Sequence, residues 1–248
     1  MMPPTNGLFR NENITPMHYD YFDFRHSHSD AQRVKFLQDL YEDVLPRVFK
    51  GSGRSVGRVL KFLRESDFYA LPCRHHPFVG GTAWHQAASL VYAYADHCPP
   101  DAGSECRQRF QQWQPQWRGL TPMSVALVCL LHDVGNAHHP KLFFPDRIMR
   151  RHGRKSTFVL KDTLHLDLMF DENMAILHHA HADEDALRAD TASHEDALAV
   201  WSMPLFHMAC CCDSLAAGHR FTETELTERL AAISPLLAPT DYSAYTDF

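Results

Sequence analysis

Apolar residues recur at helical spacing along most of the chain. From Asp30 onward, Val34, Leu37, Leu40, Tyr41, Val44, Leu45 and Val48 fall three or four apart, which predicts a helix that Gly51-Ser52-Gly53 ends. Val56, Val59, Leu60 and Leu63 predict a second. After a loop over residues 71–81, a third is expected from Thr82 to about His97. Residues 99–119 hold Pro, Gly, Gln and Trp and predict a short helix within a long connection. Thr121 is placed to cap an apolar helix with Pro122 at its first position. That helix runs through Val125, Leu127, Val128, Leu130 and Leu131 to His132-Asp133, with Gly135 as its stop. The stretch 140–155 is basic and expected to be irregular at first. Helices follow over 154–161, from an Asp171 cap to about Ala182, over about 195–217, and over 222–232. The last opens with a capping-box pattern, Thr222 to Glu225. Leu164-His-Leu-Asp-Leu168 is the one candidate strand by period-two alternation. The expected fold is all-α: a polar, aromatic arm over residues 1–28, then one helical domain over 29–248.

Composition narrows the partners. Across 248 residues the formal charge is −6, from 24 Lys+Arg against 30 Asp+Glu. That leaves no global basic field for duplex nucleic acid, although a local patch suffices for a small phosphorylated substrate. No apolar run reaches the roughly 18 residues a bilayer span needs, so no membrane is expected as a partner. The opening Met-Met-Pro-Pro-Thr-Asn-Gly lacks the basic and apolar regions of a signal peptide. The seven cysteines show no paired spacing, and Cys210, Cys211 and Cys212 are consecutive, which predicts buried thiols and a cytoplasmic location. The chain also holds 18 histidines, an excess that raises the question of a bound ion.

The informative dipeptide is His132-Asp133, in Cys-Leu-Leu-His-Asp-Val-Gly-Asn at the end of the apolar helix. Successive helical side chains point about 100° apart, yet both can lean towards an ion lodged beside the helix end. A carboxylate after an apolar run is costly unless paired or bound to a metal. Taken alone, the pair reads as a helix closure with Asp133 exposed in the turn before Gly135.

Its surroundings reverse that reading. His85 follows Gly80-Gly81-Thr-Ala-Trp on a predicted helix, and Asp213 lies on another apolar helix, in His207-Met-Ala-Cys-Cys-Cys-Asp213. The order His, His-Asp, Asp resembles the HD-domain superfamily of metal-dependent phosphohydrolases. Phe68-Tyr-Ala-Leu-Pro-Cys-Arg-His75, then four residues, then Gly80-Gly81 and His85, looks like a stretch found in HD nucleotide hydrolases and exonucleases. His152-Gly-Arg-Lys155-Ser156 and Ala175-Ile176-Leu-His178-His179 resemble two elements of a bacterial HD subgroup. The resemblance covers residues 67–217 and implies an HD-type helical bundle.

It further implies a six-ligand, dinuclear centre. His85, His132, Asp133 and Asp213 would hold one ion, and Asp133, His152 and His179 the other, with His178 as the alternate to His179. Mixed imidazole and carboxylate ligation suits two divalent ions among Mn, Fe, Co, Ni and Zn. The implied activity is hydrolysis of a phosphomonoester or phosphodiester, of a nucleotide or short oligonucleotide, by metal-activated hydroxide. Asp133 would bridge, while Lys155, Arg74 and His75 would serve on the phosphate side. Many HD hydrolases carry a lysine where Asn136 stands, so that role would pass to Lys155 or Arg74. The same ligand order also serves di-iron oxygenases acting on a polyol or phosphonate, and a non-catalytic nucleotide-binding module is the third reading. Ser89 and Ser156 lack a nucleophile elbow, and no Gly-rich phosphate loop occurs.

Overall fold

A computed structural model of the chain describes residues 28–71, 73, 80–137, 152–181, 183–218 and 221–237. Eleven α-helices are found there: α1 (His28–Val48), α2 (Val56–Glu65), α3 (Thr82–Ala93), α4 (Ser104–Trp117), α5 (Pro122–Leu131), α6 (His152–Phe158), α7 (Phe170–His178), α8 (Glu184–Asp190), α9 (His194–Trp201), α10 (Pro204–Gly218) and α11 (Glu223–Ile233). The described residues contain no strand, so the fold is all-α. The arm expected over 1–28 lies outside the described residues apart from His28, which opens α1.

Helices α3, α5 and α10 form the centre. Every residue of α3 is buried, as are residues 124–131 of α5, which is why neither shows a polar stripe. Helix α10 packs on α3, α4 and α7, and α5 packs on α3 and α1. A second, smaller apolar cluster joins Leu187, Ala197, Val200, Phe206 and Cys210 of α8, α9 and α10. Cys210, Cys211 and Cys212 are buried, as is Cys129.

Local signals set most boundaries. Thr121 Oγ1 accepts from Ser124 N–H at 3.2 Å to cap α5, and Thr222 with Glu225 forms the expected capping box on α11. Gly51 and Gly53, both at positive φ, end the first helical segment. At α7 the cap differs from expectation: Met169 is the N-cap and Glu172 reaches back to its N–H at 2.9 Å. Glu172 also receives Arg54 at 2.6 and 3.2 Å and Ser124 Oγ at 2.9 Å, tying the end of the α1–α2 loop to α5 and α7.

Four further expectations are corrected. Helix α3 ends at Ala93, with Tyr94 as its C-cap, before the expected His97. The segment 99–119 carries a 14-residue helix, α4, whose Phe110 and Trp117 are buried and which lies along α10. The helix expected over 195–217 is two helices bent by 72°, because Pro204 has no N–H to donate and its ring clashes with the preceding turn. The strand candidate is irregular: His165 sits at φ +51, a left-handed conformation no strand contains, while Leu164 and Leu166 still reach the core. Among the described residues no single helix is long and apolar enough to cross a membrane.

Candidate metal centre

The start of α3 sets the position of His85. Gly81, at φ +118, lets the chain turn where a Cβ would lie 2.8 Å from the Leu71 carbonyl oxygen. Thr82 N–H donates to that carbonyl at 2.9 Å, and the helix begins at once, with His85 N–H donating to Gly81 O. His85 therefore emerges one turn into a fully buried helix, facing α10. Its Nε2 lies 2.7 Å from Asp213 Oδ1, across 128 positions of sequence.

His132 and Asp133 follow the last turn of α5. Asp133 is only 2% exposed, which agrees with the ligand expectation and not with a bare helix closure in the turn. Gly135 is not in the left-handed conformation of a helix stop; a short 3₁₀ turn, Val134–Ala137, continues the chain. Its role is close approach, since a Cβ there would sit 2.5 Å from Ser156 N. Gly135 N–H donates to Ser156 Oγ at 3.0 Å, so the turn after Asp133 rests on α6.

The same economy of space holds on the other side of α6. A Cβ on Gly153 would lie 2.4 Å from the carbonyl oxygens of Ile176 and Leu177. Backbone contact between α6 and α7 brings His152 Nε2 to within 2.7 Å of His179 Nε2.

The five elements converge on Asp133, whose two oxygens face different histidines. Oδ2 lies 3.8 Å from His132 Nε2, while Oδ1 lies 3.6 Å from His152 Nε2 and 3.8 Å from His179 Nε2. His132 Nε2 is also 3.3 Å from Asp213 Oδ1. Two overlapping groups result, His85–His132–Asp213 and His132–Asp133–His179, each with one donor atom per residue within 4.8 Å of the others. Backbone carbonyls orient two of the rings: His132 Nδ1 donates to Val128 O at 3.0 Å and His179 Nδ1 to Ile176 O at 2.8 Å. Each bond leaves Nε2 aimed inward, the arrangement that ligating histidines use. Asp133 Oδ1 and His132 Nε2 are buried without a hydrogen-bond partner among the described residues. Buried polar atoms left so are costly, and a divalent cation among these imidazoles and carboxylates would satisfy both.

All six residues expected as ligands are thus brought together. The alternate, His178, points elsewhere, towards Asp190. Lys155 lies on α6 with its Cβ against Gly135, two residues beyond Asp133. Arg74 and His75 lie outside the described residues. Sequence reasoning missed Gln86 and Tyr41. Gln86, beside His85, is oriented so that its carbonyl accepts from Asp133 N–H at 2.8 Å while its amide donates to Leu130 O and Tyr41 Oη. A glutamine directly after His85, at the head of the small-residue stretch Ala87-Ala88-Ser89, was the available signal.

Burial opposes charge here, and neighbours decide the outcome. Burial pulls the His132 pKa down, but the Asp133 and Asp213 carboxylates prevail and push it up to about 9. Burial, with the charges of His132 and His152, takes His179 down to about 3. Asp133 is held below its ordinary value: burial raises it, but His132, His152 and His179 outweigh that. In metal-free protein these shifts bear on stability with opposite signs. His132 has a folded pKa above the ~6.5 of the unfolded chain, so its contribution is full below pH 6.5 and is lost as pH rises to 9. His179 has a depressed folded pKa, so its contribution is present above pH 6.5 and is lost as pH falls towards 3. Thermal melts of chelator-treated protein are therefore expected to peak near pH 6.5 and decline on both sides; a Tm climbing steadily from pH 6.5 to 9 would contradict this.

A cavity of about 330 Å³ opens onto the centre, with His179 and Asp213 in its wall. Helix α4 and the segment before it line it with Asp101, Glu105 and Arg109, and α10 adds Ser214. No family model, curated protein or solved structure matches this chain.

Proposed function

We propose that the protein is a metal-dependent phosphohydrolase of the HD type, acting on a small phosphorylated substrate, a nucleotide or short oligonucleotide. The observation that carries the reading is the bridging placement of Asp133, one oxygen towards His132 and the other towards His152 and His179. Two divalent ions held by this set would supply an activated water and offset charge on the phosphoryl oxygens.

The chain's own residues support the remaining requirements. The cavity falls at the small end of the ~300–1,000 Å³ range of small-molecule sites, which favours a compact ligand. Arg109, in the cavity wall, stacks its guanidinium 5.4 Å over the Trp201 ring, which holds a cation where a substrate phosphate would enter. Asp213 and His179 line the same space, so a substrate there would meet the ligand edges directly. Gln86 and Tyr41 fix the backbone of Asp133, and so limit the reorganisation that turnover would require.

The test is metal analysis of purified protein, followed by a screen with Mn²⁺ over nucleotides, cyclic dinucleotides, short RNA and an aryl phosphate. Hydrolysis of at least one phosphoester, abolished by chelation and restored by the metal, is expected. Metal-free protein with full hydrolytic activity would overturn the reading, as would tight nucleotide binding with no turnover under any divalent metal.

A further inference from the structure

The turn after α7 carries a second group of imidazoles and carboxylate, directed away from the centre just described. His178 Nδ1 lies 3.7 Å from Asp190 Oδ2, and His181 Nε2 lies 3.2 Å from the same oxygen. Their rings are 5.4 Å apart, and one donor atom from each of the three residues falls within 4.8 Å of the others. The His178 and Asp190 side chains are 4% and 8% exposed, whereas His181 is 22% exposed and opens the group to solvent.

We propose that His178, His181 and Asp190 form a further binding site for a divalent transition metal, zinc or a close relative. The proposal does not rest on the phosphohydrolase reading. The 3.2 Å separation is that of a hydrogen bond, whereas 3.7 Å is too long for one. The two bracket the ~3.3–3.6 Å edge of a tetrahedron whose ligands stand 2.0–2.2 Å from its centre. Two imidazoles and one carboxylate suit zinc and its neighbours, and the solvent side at His181 leaves room for water as a fourth ligand. Asp190 turns its other oxygen to Arg154 Nη2 at 3.5 Å, which orients the carboxylate from outside the group. An ion at this point ties the end of α8 to the end of α7, closing the loop directly behind His179. The site thereby steadies a residue of the central group without belonging to it.

The probe is Zn²⁺ added to chelator-stripped full-length protein, counted by elemental analysis after desalting. His181→Ala and Asp190→Asn should each retain one equivalent fewer than wild type, with unchanged far-ultraviolet circular dichroism. In protein carrying Asp133→Asn and Asp213→Asn, one equivalent should remain and should disappear when His181→Ala is added. Equal zinc in wild type and both single variants overturns the proposal, and so does a zinc content in the doubly substituted protein that His181→Ala leaves unaltered. If wild type binds a single ion that survives the Asp133 and Asp213 changes but is lost with His181, this site stands and the phosphohydrolase reading fails.

Discussion

Asp133→Asn is expected to lose the central metals and to lower phosphoester turnover by at least about 10³-fold, or ~4 kcal/mol of transition-state stabilisation. The substitution preserves volume and hydrogen-bonding shape, so the fold has little reason to change. What it removes is the negative charge between His132 on one side and His152 and His179 on the other. An amide presents one oxygen and one donor where a bridge needs two oxygens, so it cannot serve both groups of histidines. The His132 proton is held by Asp133 and Asp213 against burial, and with one carboxylate gone its pKa should fall from about 9, measurable by NMR on metal-free protein. A variant that keeps its ions and its turnover would remove the basis for the proposed chemistry.

Gly153→Ala is the second large effect, and it acts through backbone contact. The added methyl would sit 2.4 Å from the carbonyl oxygens of Ile176 and Leu177, neither of which can rotate aside as a side chain could. Helix α6 must then back away from α7, at a cost of more than about 3 kcal/mol, or a fall in Tm of about 6–12 °C for a chain of this length. Ile176 O is also the acceptor that orients His179, so the same displacement disturbs His179 and His152 together. Metal content should drop with stability. If Gly153→Ala melts within a degree or two of wild type and binds metal normally, the α6–α7 contact does not have the role assigned to it.

How much of this was legible beforehand differs by residue. Thr121, Pro122, Thr222 and Glu225 announced their helices because a cap is a contact between neighbours in sequence. Pro204 carried an equally local message that the continuous apolar pattern from 195 to 217 masked. Helix α4 was underestimated because its Gln, Pro and Trp residues give a weak apolar stripe, and its helicity is supported by packing along α10. The glycines before Lys155 and after Asp133 stand in recognisable motif positions. Their physical reason, two carbonyls and an amide within 2.5 Å of a would-be Cβ, is visible only when the helices are side by side.

The amino-acid order by itself determined the helical class and the caps at Thr121 and Thr222, which depend on residue chemistry and on contacts within a turn, while the six candidate ligands came forward through the ordered resemblance. Only the tertiary structure decided that Asp133 is buried and faces histidines with both oxygens. It alone turned His178 away towards Asp190, enlisted Gln86 and Tyr41, and set a cavity against Asp213. The physical reason is directional: adjacent side chains at a helix end diverge by about 100°, and which of them points inward is fixed by the packing of helices distant in sequence.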